Sequence, residues 1–116
     1  MLTIYHNPRC SKSRQTLALL EENGVAPKVI EYLNDGLSAA QLQTLIEQLG
    51  FDSARQLMRK NEAEYKELNL AEPTLTEEQL IAAMVSHPKL IERPIVFTGT
   101  QARIGRPPES VLDIIE

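Results

Sequence analysis

The single cysteine of this 116-residue chain, Cys10, lies where a short apolar segment gives way to a segment with a helical pattern. The first turn of a helix has backbone N–H groups without intrahelical partners and a partial positive charge, and both stabilise an anion or a thiolate. A free thiol has a pKa of about 8.5 and is mostly protonated at neutral pH, whereas a helix N-terminus favours its ionised form. The position of Cys10 therefore predicts a nucleophilic thiol.

Basic residues surround this cysteine, because Arg9, Lys12 and Arg14 all lie within four positions of it. The first turn of a helix normally collects Asp and Glu, so each exposed cation here costs about 0.3–1 kcal/mol against the helix dipole. A local rule broken in this way is typical of a functional site. The alternative is an inert, buried cysteine, which the polar and basic neighbours disfavour.

Composition limits the classes of protein to consider. The length and the hydrophobic content of 42% predict one domain, residues 1–116, with a single core. One cysteine excludes an internal disulfide, and without a long apolar run or a signal-peptide pattern we expect a cytoplasmic protein away from the membrane. The net charge of -4 and the scarcity of aromatic residues disfavour nucleic-acid binding. We also expect no metal site, because His87 has no neighbouring ligand.

The elements around Cys10 follow the order strand, helix, strand. Residues 2–5 and 28–32 are predicted strands, and residues 11–23 form a predicted helix that Gly24 ends. A βαβ unit of this kind has parallel strands joined by a right-handed crossover. It places Cys10 at the carboxyl end of the first strand, which is the edge where open α/β sheets usually bind ligands.

Residues 38–87 are predicted to form a helical insertion. Its two main helices begin at capping boxes, one at Ser38 and one at Thr76, each with a glutamine three residues later. Between them, helix-forming and polar residues predict one or two short helices, with Arg55 and Arg59 one turn apart.

The last third of the chain predicts a hairpin and a helix. Residues 94–97 and 101–104 flank a short turn and form the predicted hairpin, and the final helix begins at residues 107–108. Its buried face is predicted to consist of Val111, Leu112 and Ile115. A βαβ half, a helical insertion and a ββα half make an α/β fold with a four-stranded mixed sheet flanked by helices. This element order is that of the thioredoxin fold.

Several further segments complete a resemblance to a known family. They are residues 57–61 (LMRKN), 65–68 (YKEL), 92–96 (ERPIV) and 105–107 (GRP). With these segments and the turn that contains Cys10, the chain resembles the glutaredoxin-linked arsenate reductase family over essentially its whole length. The resemblance implies a thioredoxin-like enzyme of arsenic detoxification, which reduces arsenate to arsenite. It also implies glutathione as co-substrate and glutaredoxin as partner, with no bound cofactor.

The resemblance assigns roles to four residues that contact the substrate. Cys10 matches the family's nucleophile, and Arg59, Arg93 and Arg106 match its three oxyanion-binding arginines. Guanidinium groups suit arsenate because their planar forks bind two oxygens at once and stay charged. By resemblance, the thiolate displaces oxide or water from arsenic, and glutathione and then glutaredoxin attack before arsenite leaves. Independently, a chain with one cysteine must take the second sulfur from outside.

The resemblance also assigns supporting roles to His6, Ser13 and Pro94. It predicts that the Arg93–Pro94 bond is cis. Each residue also has a plain alternative. His6 could satisfy backbone groups at a strand end, and Ser13 could be an ordinary residue of a first helical turn. Taken alone, the three arginines are compatible with solvated surface positions, or for Arg93 with an extended residue before proline.

The chain departs from the family pattern directly after the nucleophile, where Ser11 and Lys12 replace the Gly-Thr pair of the well-known members. Loss of the glycine restricts how closely the loop can wrap an oxyanion, while Lys12 adds positive charge. Two alternative functions stay open. One is a glutathione-dependent reductase of thiols or mixed disulfides, and the other is a thioredoxin-like transcriptional regulator that binds RNA polymerase. The redox-sensing regulators carry a Cys-x-x-Cys pair, and Ser13 occupies the second position here.

Overall fold

The computed structural model describes residues 2–115, so the end residues of the predicted domain, Met1 and Glu116, lie outside the described residues. The chain divides into two compact units. The sheet unit comprises residues 2–35 and 93–115, and the helical unit comprises residues 36–92. The predicted insertion, residues 38–87, lies inside the helical unit.

The sheet unit contains a four-stranded mixed sheet in the order β2-β1-β3-β4. Its strands are β1 (Thr3–Tyr5), β2 (Lys28–Ile30), β3 (Ile95–Phe97) and β4 (Ala102–Ile104). Strand β1 is parallel to β2 and antiparallel to β3, and β3 and β4 form the antiparallel hairpin. The predicted sheet is therefore confirmed, although each strand is only three residues long.

Two α-helices and one 3₁₀ helix accompany this sheet. Helix α1 (Ser11–Glu22) follows β1, and the short helix α2 (Tyr32–Asp35) follows β2. The prediction of strand through residue 32 is wrong at its end, because Tyr32 already begins α2. The chain then returns from the helical unit to β3 and β4 and ends in the 3₁₀ helix Pro108–Ile114.

The final helix buries a different face from the predicted one. A 3₁₀ helix has three residues per turn, so residues three apart lie on one side. Pro108, Val111 and Ile114 are accordingly buried, whereas Leu112 is 37% exposed. The prediction that Leu112 is buried is wrong, because it assumed the period of an α-helix.

One hydrophobic core joins the sheet to α1 and to the C-terminal 3₁₀ helix. Residues of β1 and β3 meet Leu20 of α1 and two residues of the last helix at this core. Its buried members are Leu2, Ile4, Leu20, Val96, Val111 and Ile114. This packing holds α1 against the sheet.

The helical unit contains α3 (Ala39–Leu49), α4 (Ala63–Glu67) and α5 (Glu77–Ser86), with 3₁₀ turns at Ala54–Leu57 and Pro88–Leu90. Both predicted capping boxes are present, at the N-caps Ser38 and Thr76. A third box at Ser53, which we did not predict, starts the first 3₁₀ turn. Within residues 2–115, no helix has the length and apolar character that a membrane span requires.

Arg55 and Arg59 do not lie one helical turn apart, and that prediction is wrong. The 3₁₀ turn ends at Met58, which is extended and forms a β-bridge with Ile91. The Arg59 N–H then donates to the Leu90 carbonyl oxygen at 2.6 Å. A pairing that is distant in sequence therefore interrupts the locally favourable helix.

Candidate active site

Cys10 is the N-cap residue of α1, at the carboxyl end of β1, and is half-buried. Its backbone is extended, with φ -94° and ψ 124°. The Cys10 N–H donates to the Asn7 carbonyl oxygen, and the Cys10 carbonyl oxygen accepts from the Arg14 N–H, both at 3.0 Å. The sulfur therefore lies at the positive end of the helix, where N–H groups lack intrahelical partners.

The surroundings of the sulfur lower the pKa of Cys10. Burial acts in the opposite direction and would raise this pKa, because it disfavours the charged form. Together, four effects outweigh burial: hydrogen bonds from the Ser13 backbone N–H, the Arg93 side chain and the Lys12 backbone N–H, and the positive charge of Arg93. The site thus favours a thiolate, which is the nucleophilic form of cysteine.

Two guanidinium groups reach the thiol from the segments around β3 and β4. Arg93 precedes β3 and hydrogen-bonds the Cys10 sulfur. Arg106 follows β4; its Nη2 lies 3.7 Å from Cys10 Sγ, and its Nε donates to the Arg93 carbonyl oxygen at 2.8 Å. The Arg93–Pro94 bond is cis, as predicted, and the Arg106–Pro107 bond is also cis, which we did not predict. Both arginines therefore lie beside the helix N-terminus.

A close contact at Gly105 brings the Arg106 segment against α1. A Cβ atom on Gly105 would lie 2.5 Å from Thr16 Oγ1 and 2.8 Å from Pro94 Cγ, so a larger residue fits only if the Thr16 and Pro94 side chains or the backbone move. The Gly105 N–H donates to the Pro94 carbonyl oxygen at 2.9 Å. Thr16 is fully buried, and its hydroxyl donates to the Lys12 carbonyl oxygen at 2.8 Å.

Buried polar residues hold the turn in front of the thiol. Ser13 Oγ lies 2.7 Å from His6 Nδ1 and accepts from the Asn7 N–H at 3.0 Å. His6, Asn7 and Ser13 are all buried. Burial lowers the pKa of His6, the charge of Glu31 partly offsets it, and Arg14 lowers it further. Its surroundings thus favour the neutral form of His6, and this network positions the peptide N–H of Ser13 that points at the sulfur.

The ArsC family model matches residues 5–114 of the chain. The chain belongs to the ArsC family. It is 62% identical to the uncharacterized protein YfgD of Escherichia coli, over 97% of this chain and 94% of that protein. It is 51% identical to the arsenate reductase of Haemophilus influenzae, over 97% of each. The solved structure of the arsenate reductase from Vibrio cholerae superposes with a TM-score of 0.96 at 57% identity, covering 98% of this chain and 97% of that one. The fold is thioredoxin-like.

In this ArsC-family chain, the cations next to Cys10 in sequence are not those that reach its sulfur. The Arg14 Nη1 donates to the Pro8 carbonyl oxygen at 2.9 Å and so closes the loop before the cysteine. Arg9 is exposed, and its backbone N–H donates to Asn7 Oδ1 at 3.0 Å. Sequence reasoning missed Asn7, although an Asn-Pro pair is a recognisable turn signal.

The remaining family arginine, Arg59, lies in the helical unit, where its Nε forms an ion pair with Glu62 Oε1 at 3.2 Å. Its assignment to the oxyanion site stays a prediction. Within residues 2–115, no group of three His, Cys, Asp or Glu side chains is placed to hold a metal ion.

Proposed function

We propose that this ArsC-family protein reduces arsenate to arsenite in the cytoplasm, with Cys10 as the nucleophile and with glutathione and glutaredoxin as electron donors. The observation that carries the proposal is the half-buried Cys10 sulfur at the N-terminus of α1, with Arg93 and Arg106 beside it. Relatives that bear the name arsenate reductase, at 46–51% identity over nearly the whole chain, support it.

The substrate fits this arrangement because arsenate is a tetrahedral dianion near neutral pH. Arg93 and Arg106 offer planar sets of donors, and the backbone N–H groups of Lys12 and Ser13 point to the same place. A bound oxyanion would thus lie against the thiolate that attacks it. We assign Arg59 as the third oxyanion-binding arginine. His6, Ser13 and Pro94 act as positioning residues.

The proposed chemistry balances in four steps. Cys10 sulfur bonds to arsenic and one oxygen leaves as water; glutathione sulfur then bonds to the same arsenic and displaces a second water. A glutaredoxin thiolate attacks the glutathione sulfur, and the electrons of the broken S–As bond reduce As(V) to As(III). Water finally releases arsenite and returns the Cys10 thiol. In sum, arsenate and two external thiols give arsenite, one mixed disulfide and one water, because the chain itself has no second cysteine.

Arsenite formation by the purified protein with glutathione and glutaredoxin tests the proposal. We expect turnover by the wild type, none above background by Cys10→Ser, and a loss of about tenfold or more for Arg93→Ala, because a charged hydrogen bond is removed. Arg103→Ala is the matched control, since Arg103 pairs with Asp113 at 3.7 Å on the surface. Turnover that survives Cys10→Ser would refute the mechanism.

A second function within the same chemistry is reduction of mixed disulfides of glutathione. It is favoured by a single activated thiol and by Ser11 and Lys12 in place of the Gly-Thr pair. The same preparation decides between the two: efficient reduction of a glutathione mixed disulfide with hardly any arsenate turnover would favour it. The regulator alternative is disfavoured, because Ser13 is a buried hydrogen-bonding residue where a disulfide switch needs a second cysteine.

A further inference from the structure

A polar cavity of about 320 Å³ lies next to the cysteine turn, within the sheet unit. The loop before Cys10 forms one part of its wall, and the residues that follow β2 form the other. Its lining residues are His6, Asn7, Pro8, Arg9, Glu31, Leu33 and Asn34. The volume is at the lower end of the range of small-ligand sites, about 300–1,000 Å³. None of the steps proposed above uses this cavity.

The cavity carries one cationic and one anionic group. Arg9 and Glu31 are both exposed, and within residues 2–115 no salt bridge joins them. Burial of His6 lowers its pKa and so favours the neutral ring. Its Nδ1 faces Ser13, while its Nε2 has no hydrogen-bond partner in the part of the chain that the structure describes. The wall thus offers a positive group, a negative group and neutral polar groups.

The cavity is also coupled to the reactive residue by direct contacts. Asn7 lines it, and the Asn7 carbonyl oxygen accepts the N–H of Cys10 at 3.0 Å. Arg9 lines it as well and is bonded covalently to Cys10. A ligand held there would therefore lie next to the turn that presents the thiol.

We propose that this cavity binds the peptide thiol that attacks the Cys10 adduct, a small zwitterion of the glutathione class. The carboxylate of the ligand would pair with Arg9, and its ammonium group would pair with Glu31. Arsenate itself is a poor occupant, because Glu31 repels a dianion and because two guanidinium groups already face the sulfur. This inference rests on the proposed function, and it adds the place where the reducing thiol binds.

Binding can be measured without chemistry. S-methylglutathione carries the charges of glutathione but no free thiol, and the Cys10→Ser protein cannot form a mixed disulfide. We expect S-methylglutathione to shift the amide resonances of the loop before Cys10 and of residues 31–34 in the Cys10→Ser protein. Arg9→Ala and Glu31→Gln in that background should each weaken binding about twofold to fivefold, as expected for exposed ion pairs, and the double variant about tenfold. The matched controls Lys28→Ala and Glu21→Gln should bind like their parent.

Two results would overturn the inference. One is unchanged affinity in both cavity variants. The other is equally tight binding of a dicarboxylate that lacks an amino group, because a site with Glu31 in its wall should discriminate against it. Either result leaves arsenate turnover untouched.

Kinetics separate this inference from the proposed function. In the otherwise intact protein, Arg9→Ala and Glu31→Gln should raise KM for glutathione about twofold to fivefold and leave KM for arsenate unchanged. Arsenate turnover with an unchanged glutathione KM in both variants would contradict the cavity but not the reductase activity. S-methylglutathione binding in a protein that does not reduce arsenate would contradict the activity but not the cavity.

Discussion

At the scale of single residues, Cys10 owes its environment to groups that lie far from it in sequence. Arg106 and Cys10 are separated by 96 positions, and yet Nη2 of this arginine approaches the sulfur to 3.7 Å. The nearby cations act differently, since Lys12 contributes its backbone N–H and Arg14 binds a loop carbonyl. The sequence therefore indicated that this cysteine is reactive. It could not show which charges stabilise the thiolate, because that depends on how β3 and β4 return to α1.

A substitution at Arg106 tests whether oxyanion binding needs the planar set of donors of a guanidinium group or only a positive charge. Its guanidinium bonds the Arg93 carbonyl oxygen and also approaches the sulfur, which a lysine ammonium cannot do in the same geometry. We expect Arg106→Lys to raise KM for arsenate about tenfold or more, the cost of one charged hydrogen bond. Arsenate kinetics at saturating glutathione measure it, with Arg103→Lys as the control. An unchanged KM would show that Arg106 does not bind the oxyanion.

His6 links stability to pH, because burial lowers its pKa in the folded protein. The unfolded chain then binds a proton more readily than the folded chain does. Above the pKa of about 6.5 that His6 has in the unfolded chain, its contribution to the free energy of unfolding is at its maximum. That contribution falls as the pH decreases from this value to the lower pKa of the folded protein. We expect the free energy of unfolding, measured with urea, to decrease less for His6→Asn than for the wild type when the pH is lowered from neutral to acidic. Parallel pH profiles of the two proteins would contradict the neutral, buried His6.

At the scale of elements, the site depends on how closely the loop after β4 approaches α1. Gly105 contacts Thr16 and Pro94 so tightly that its identity is a packing requirement. The sequence showed a glycine before Arg106 but could not show this contact, which joins three separate segments. Capping boxes were predictable because all their atoms lie within four residues, as at Ser38 and Thr76.

Gly105→Ala should disturb the site through this contact. The new methyl group would push against Thr16 and Pro94, so we expect a loss of about 1–3 kcal/mol in the free energy of unfolding. Because Pro94 follows Arg93, the same push should move that guanidinium from the sulfur and raise the pKa of Cys10. Thiolate absorbance as a function of pH and urea unfolding give the two readouts.

The matched control is Gly99→Ala, because a Cβ there meets no atom within 4 Å. We expect it to keep both the stability and the thiol pKa of the wild type. Gly105→Ala with an unchanged thiol pKa would show that this contact serves packing alone.

At the scale of the whole molecule, an acidic chain of net charge -4 carries a local cationic site. The four strands, the parallel βαβ unit and the hairpin were predictable, because hydrophobic patterns and turn residues define them locally. The strand order β2-β1-β3-β4 was not, because the β1–β3 pairing joins segments that are distant in sequence. The helical unit was predicted only as an insertion between the two halves of the fold, and not as a compact unit of its own. The 3₁₀ geometry of Pro108–Ile114 was not predictable, because Val111, Leu112 and Ile115 also fit the period of an α-helix.

A substitution at Leu20 tests whether the stability of the fold can change while the pKa of the Cys10 thiol stays the same. It is fully buried in the core of the sheet unit, so Leu20→Ala should lower the free energy of unfolding by about 2–5 kcal/mol. Val29→Ala is the control, since Val29 is 44% exposed and its truncation should cost within about 0.5 kcal/mol. Where the variant is folded, its thiol pKa should equal that of the wild type. A raised thiol pKa in folded Leu20→Ala would show that the core and the site are not separable.

The chemistry proposed for Cys10 depends on a thiol pKa that the N-terminus of α1 and Arg93 lower. Its most direct test is the ultraviolet absorbance of the thiolate in the purified, reduced protein as pH is varied, with Cys10→Ser as the blank. We predict a midpoint below the value of about 8.5 for a free cysteine, and a rise in that midpoint for Arg93→Ala. A wild-type midpoint at or above that of a free cysteine would show that these groups do not stabilise the thiolate.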